Sequence, residues 1–309
     1  MVVPRMYDLA MTHKLDADDV FIQRVQQQAA TLGLSFFLVD PLWVEAFLER
    51  LERGEIGVRV LLNMHSEHHD ASDVFTRLVW RAHRGGTKVI DPPDLALKAF
   101  DKALLHPVLE AAGLPVPYTV VVPREQAGSF RLEPGQRERL GSPFVVKPAL
   151  GYGRRGVILD AQDERDLARS SGGWATGSLL LQSRVRPGVL GADPAYFRIF
   201  QVFGEIWPCW WNCFTDRYRV LTEEEERRHD LGELRRLVKE LAKVTGMSFF
   251  STEIARAADG GYVLIDYVND QCHMLTQSAN PQIGVPDALV VSIARRLVDQ
   301  AAVMARGLG

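Results

Sequence analysis

The residues of this 309-residue chain whose types and spacing suit chemistry fall mainly in two stretches. The first, VVKPALGYGRRGV over 145–157, sets Lys147 four residues before Gly151 and spaces Gly151, Gly153 and Gly156 as G-x-G-x-x-G. Glycines so spaced let backbone N–H groups close over phosphate oxygens, and the lysine adds a point charge. A dinucleotide-binding turn of the same spelling must leave a strand and open a helix, so that pyrophosphate meets the helix N-terminus. Here Phe144-Val145-Val146 enters the loop as a β-type run, and Val157-Ile158-Leu159-Asp160 leaves it as another, with no cap signal at Gly156. The stretch therefore predicts a tight hairpin of the kind that lids a nucleoside triphosphate, beside the plainer reading of a glycine-rich hairpin without a ligand. The kinase pattern differs, because there the lysine follows the loop. Arg154 and Arg155 at the tip suit phosphate or an acidic substrate, and equally suit solvated charges.

The second stretch is STEIARAADGGYVLIDYVNDQCHM. Glu253 lies in one predicted strand, Asp266 in the next and Asn269 just past its end. A turn at Asp259-Gly260 sets the two carboxylates side by side. Facing carboxylates repel unless a cation lies between them, and carboxylates with an amide oxygen are hard ligands suited to Mg2+ on triphosphate oxygens. The alternative is two exposed strand acids with Asn269 as a turn residue. Elsewhere, His65, His68 and His69 in NMHSEHHDASD suit a transition metal, a substrate-contacting loop, or a polar loop with no role. Cys209, Cys213 and Cys272 are too few for a disulfide scaffold and read as reduced thiols. No activating histidine or helix start can be set beside Cys272.

These residues need elements to hold them. Apolar periodicity predicts strands at 7–11, 34–40, 58–63 and 87–91, alternating with helices around Phe21–Leu32, Val44–Leu51 and Val74–Ala82. That alternation argues a parallel, helix-covered sheet. After Pro93 the rhythm changes. One helix is predicted over 95–112 and another over 223–245, the latter opened by a Thr222/Glu225 capping box. Strands follow at 118–122, 178–185, 196–211 turning at Gly204, 247–256 and 262–268, and a closing helix runs through Leu289, Ile293 and Leu297. The last two thirds thus read as α+β with mostly antiparallel strands. Composition is that of a globular protein, 47% hydrophobic and 24% charged, with net charge −3. That balance gives no argument for nucleic acid or an anionic membrane surface. No transmembrane run and no signal-type start are seen, so a cytoplasmic location is expected.

In order along the chain, VIDPPDLALKAFDKALLHPVLEAAGLPVPYTVVV, PFVVKPALGYGRRGV, LLLQSRV, FRIFQVFGEI and STEIA…YVLIDYVND resemble the successive motifs of the ATP-grasp superfamily, over about residues 87 to 275. The type is that of carboxylate–amine or thiol ligases such as the ribosomal-protein glutamate ligases and the D-alanine–D-alanine ligases. The resemblance implies an N-terminal parallel-sheet α/β domain at 1–93 on the substrate side. An ATP-grasp domain with a largely antiparallel sheet follows at 94–309, its lid subdomain at about 114–185. It implies ATP and Mg2+ as cofactors. Lys102 and Lys147 would touch the phosphates, with Gly151, Gly153, Arg154 and Gly156 in the lid. The backbone around Gln182, Ser183 and Val185 would hold adenine, and Asp193 the ribose. Arg198 would neutralise the transferring phosphoryl group, acting catalytically with Lys147. Glu253, Asp266 and Asn269 would hold magnesium.

The chain departs from the family in spelling the second metal position Asp266-Tyr-Val-Asn269, where Glu-x-Asn is usual. One extra strand residue reverses a side chain's facing, so Asn269 serves only if the strand has ended or bulges there. The implied reaction is ATP-dependent joining of a small-molecule or peptide carboxylate to an amine or thiol through an acylphosphate. A phosphotransferase and an ATP-binding protein without catalysis are the alternatives. A homodimer is expected by analogy only, with no nucleic-acid or membrane partner.

Overall fold

In the computed structural model, described residues are 4–14, 19–65, 68, 70–151, 153–171 and 177–307. Contacts divide the chain into two compact units: Met1–Leu97 with Arg198–Ser251 and Asp270–Gly309, and Lys98–Phe197 with Thr252–Asn269.

The first unit opens with β1 (Arg5–Thr12), α1 (Asp19–Thr31), β2 (Phe36–Val39), α2 (Val44–Glu52), β3 (Ile56–Asn63), α3 (Val74–Arg84) and β4 (Lys88–Ile90). The four strands form a sheet of order β2-β1-β3-β4, parallel at every pairing. Both faces are covered. Leu9, Val60 and Leu62 pack with Phe21 and Val25 of α1 and with Leu289, Ile293 and Leu297 of α9 (Asp287–Arg306). Ala10, Val58 and Leu61 pack with Phe47 and Leu48 of α2 and with Phe75 and Leu78 of α3. Burial on both sides is why VRVLLN reads as an apolar run rather than an alternation.

Beyond β4 come α4 (Pro93–Phe100), α5 (Lys102–Ala111), β5 (Thr119–Pro123), α6 (Pro134–Leu140), β6 (Phe144–Pro148), β7 (Ile158–Ala161), β8 (Ser178–Gln182), β9 (Val189–Leu190) and β10 (Asp193–Pro194). Then follow β11 (Tyr196–Val202), β12 (Glu205–Trp211), β13 (Tyr218–Val220), α7 (Glu223–Arg228), α8 (Gly232–Thr245), β14 (Phe249–Arg256) and β15 (Tyr262–Asn269). A four-stranded antiparallel sheet has the order β5-β8-β6-β7, and a five-stranded sheet the order β13-β12-β11-β14-β15.

Several boundaries differ from the sequence reading. The helix expected over 95–112 is two, because the Asp101 carboxylate accepts from the backbone N–H groups of Ala103 and Leu104 and starts a new helix. The helix expected over 223–245 is also two, broken where Asp230 takes φ 51. Its capping box is present as expected, with Thr222 and Glu225 reciprocally bonded. After Asp163 the chain forms a 3-10 helix, Glu164–Ser171. The strand expected to 185 stops at Gln182.

One buried acid ties the first unit together. Asp91, just past β4, accepts from the backbone N–H groups of Ser248 and Phe249, each at 2.8 Å. Burial, and then the charge of Asp270, raise its pKa from 3.8 to about 7, against the pull of those two bonds. Between those values the native state keeps a proton that the unfolded chain has released. Stability therefore falls as pH rises through the window, by up to about 1.4 kcal/mol per pH unit. Asp91→Asn flattens that slope, which thermal melts at several pH values between 4 and 7 will read.

Candidate functional site

Within the second unit, the glycine loop is the hairpin its sequence predicts: β6 enters it and β7 leaves it antiparallel, with Val146 opposite Ile158. Gly153 takes φ 61, a conformation glycine adopts without strain, and a Cβ there would meet nothing, so the backbone alone demands the residue. Gly151 and Gly156 also have positive φ, and Arg154 at the exposed tip takes φ 57. The Ser170 hydroxyl donates to the Gly156 carbonyl at 2.5 Å and anchors the loop's exit.

Lys147 lies on β6, buried. Its Nζ donates to the Ile265 carbonyl at 2.9 Å and stands 5.4 Å from the Tyr267 ring centre. Burial pulls its pKa from 10.5 down to about 8; Lys102 adds to that pull, while Asp266 and Glu253 oppose it. Two ammonium groups and two carboxylates therefore share one electrostatic neighbourhood. Lys102, the first residue of α5, is buried too. Its Nζ donates to the Gly151 carbonyl at 3.3 Å and lies 3.5 Å from Asp266 Oδ1, so it bridges the start of the glycine loop and an expected metal ligand.

Glu253 is buried on β14 and accepts from the Tyr196 hydroxyl at 2.9 Å. Asp266 is half-buried on β15, and its backbone carbonyl accepts from the Thr252 hydroxyl. Asn269 is the last residue of β15 rather than a residue beyond it. The strict in–out alternation has failed by then, since Tyr267 and Val268 are both buried. All three offer oxygen donors, which is the chemistry Mg2+ takes.

The Gln182 side chain turns inward, donating to the Thr119 hydroxyl and the Tyr267 hydroxyl, each at 2.9 Å. The Ser183 N–H is committed to the Tyr118 carbonyl, and Val185 follows beyond the end of β8. Asp193 is half-buried in the short ribbon of β9 and β10. His106 and Tyr267, bonded at 2.6 Å, were not singled out by the sequence reading. The one available signal was a polar glutamine closing the apolar run SLLLQ.

In the first unit, the Arg198 Nε donates to the Ser251 hydroxyl at 3.2 Å, and its guanidinium carbon stands 5.7 Å from the Trp211 ring centre. Cys272 is buried, and burial pushes its thiol up to about 12, so it is no nucleophile. His68 and Asp270 are buried and 2.7 Å apart, while His65 meets Asp73, the N-cap of α3, at 3.2 Å. His69 lies outside the described residues. Among the described residues no three His, Cys, Asp or Glu side chains gather as metal ligands, and the two described histidines of this loop are instead paired with acids.

No family model and no curated protein matches the sequence. Solved structures do resemble the fold. The D-alanine–D-alanine ligase of Bacillus anthracis, complexed with ATP, aligns over 99% of this chain and all of its own, with a TM-score of 0.64 and 14% identity. A RimK domain ATP-grasp protein of Sphaerobacter thermophilus aligns over 94% of this chain and 98% of its own, with a TM-score of 0.63 and 19% identity. The ATP-grasp ligase PsnB, complexed with a minimal precursor, Mg and ADP, covers 97% of this chain and 98% of its own, with a TM-score of 0.61 and 15% identity.

Proposed function

We propose that this chain, which has the ATP-grasp fold, is an ATP-dependent ligase that joins a carboxylate to an amine or thiol. The observation that carries the reading is the cluster of Lys147, Lys102, Asp266 and Glu253 beneath a glycine hairpin, two buried cations with two oxygen-only acids. Such a set suits a triphosphate with a divalent cation. Structural relatives solved with ATP, or with ADP and Mg, support the same ligands here.

In this reading residues 1–93 form the substrate-side domain and 94–309 the ATP-grasp domain, with its lid at about 114–185. Gly151, Gly153, Arg154 and Gly156 close over the phosphates. The segment Gln182 to Val185 borders adenine, and Asp193 meets the ribose. Glu253, Asp266 and Asn269 would hold Mg2+, which when bound draws charge from the phosphate oxygens. A carboxylate is a poor acyl donor. One of its oxygens attacks the γ-phosphorus, ADP leaves, and an acylphosphate forms. Lys147 and Arg198 offset the negative charge on the moving phosphoryl group. The amine or thiol then attacks the acyl carbon and inorganic phosphate leaves, while the closed lid keeps water from the intermediate.

Purified protein incubated with Mg-ATP and a cytosolic metabolite extract will test this by mass spectrometry. The expected result is ADP with a new species equal to two metabolites minus water. A phosphorylated metabolite instead makes the chain a phosphotransferase, and bound ATP with no ADP makes it a binding protein.

A further inference from the structure

The β5-β8-β6-β7 sheet has one apolar, buried face and an opposite face that carries polar side chains, buried at Gln182 and Lys147. Val120, Leu181 and Val146 pack into its core. Thr119, Gln182 and Val145 lie opposite one another in register, and Lys147 is two residues on from Val145, so they share the other face. Tyr267 of β15 bonds Gln182 on that face, and His106 of α5 bonds Tyr267.

The protons there can be assigned. Gln182 Nε2 spends its two on Thr119 Oγ1 and the Tyr267 hydroxyl oxygen. Thr119 gives its own to the Pro117 carbonyl at 2.9 Å. The Tyr267 oxygen accepts from Gln182, and His106 Nδ1 lies 2.6 Å away; a phenol proton directed to Nδ1 completes the pair with both rings neutral. A neutral ring that accepts at Nδ1 carries its proton on Nε2. That Nε2 is buried and has no hydrogen-bond partner among the described residues; Glu110 Oε2 is 3.9 Å away. Burial lowers the His106 pKa, with the Glu110 charge opposing and Lys147 adding to the fall, so the ring is a neutral donor rather than a cation. His106 is four residues on from Lys102 in α5, on the same helix face. That buried N–H lacks an acceptor, on a helix face shared with Lys102 and within the field of the Lys147 charge, and a phosphate oxygen is the acceptor such cations select.

We infer that Tyr267 is a positioning residue for binding a nucleoside polyphosphate: its hydroxyl fixes the His106 tautomer that presents Nε2–H to a phosphate oxygen, and its ring seats the Lys147 ammonium. The inference rests on the nucleotide reading above.

Imidazole nitrogen NMR of the full chain tests it, with the His106 signals assigned by their loss in His106→Asn. The asparagine keeps an acceptor near the Nδ1 position and removes Nε2. The wild type should show the Nε2–H tautomer, and its Nε2 signal should move on adding Mg-ATP. Tyr267→Phe should lose that tautomer preference. His106→Asn should melt with the wild type and bind Mg-ATP about tenfold more weakly, the loss of one hydrogen bond to a charged group. An Nδ1–H tautomer in the wild type would overturn the inference. So would wild-type Mg-ATP affinity in His106→Asn alongside weakened binding in Lys147→Met, and in that case the nucleotide site would stand. A wild type that binds no nucleotide would remove the nucleotide reading and this inference with it.

Discussion

Lys147→Met should lower ADP release by about 100- to 1000-fold, the usual loss when one preorganised charge or donor at a developing anion is removed. Methionine keeps the length and the apolar stem and deletes only the ammonium. The fold should survive, because two effects oppose each other. Deleting a buried cation removes a desolvation cost, which already holds this lysine's pKa near 8. Against that, the Ile265 carbonyl loses its donor, at about 1 kcal/mol. The pH dependence gives a second readout. The folded pKa of about 8 lies below the ordinary lysine value of 10.5, so between them the unfolded chain binds the proton that the native state has lost. Wild-type stability should therefore gain on the methionine variant as pH rises from 8 to 10.5. Full ADP release from a folded Lys147→Met protein would remove the site assignment.

Asp266→Asn should cost at least about 100-fold in Mg-dependent turnover, since the proposed Mg2+ ligand and the counter-charge of Lys102 vanish together. Raising Mg2+ should recover part of the loss, because Glu253 and the Asn269 amide oxygen remain. The same titration on Asn269→Ala measures whether the amide at the end of β15 serves the metal at all. An Asp266→Asn protein with the wild-type Mg2+ dependence would show that this acid is a structural partner of Lys102 and nothing more.

Local signals in the sequence determined much of the frame. Apolar periodicity broken by glycines specified the alternating strands and helices of the first 93 residues. β-branched runs on both sides of the loop at 151–156 made it a hairpin, and Thr222 with Glu225 marked a helix start. Each depends on residues within a turn or a strand of one another. Two helix breaks escaped the reading because apolar spacing continues through them, while Asp101 and Asp230 interrupt the backbone. The candidate site was legible as a list of charged residues, but their partners were not. Lys102 meets Asp266, and His106 meets Tyr267 across 161 positions of sequence. Only the tertiary structure decides such pairs, because a buried polar atom takes whichever partner the fold brings within 3 Å. The same burial sets Lys147 near 8, turns Gln182 inward and silences Cys272, none of which is a property of residue type.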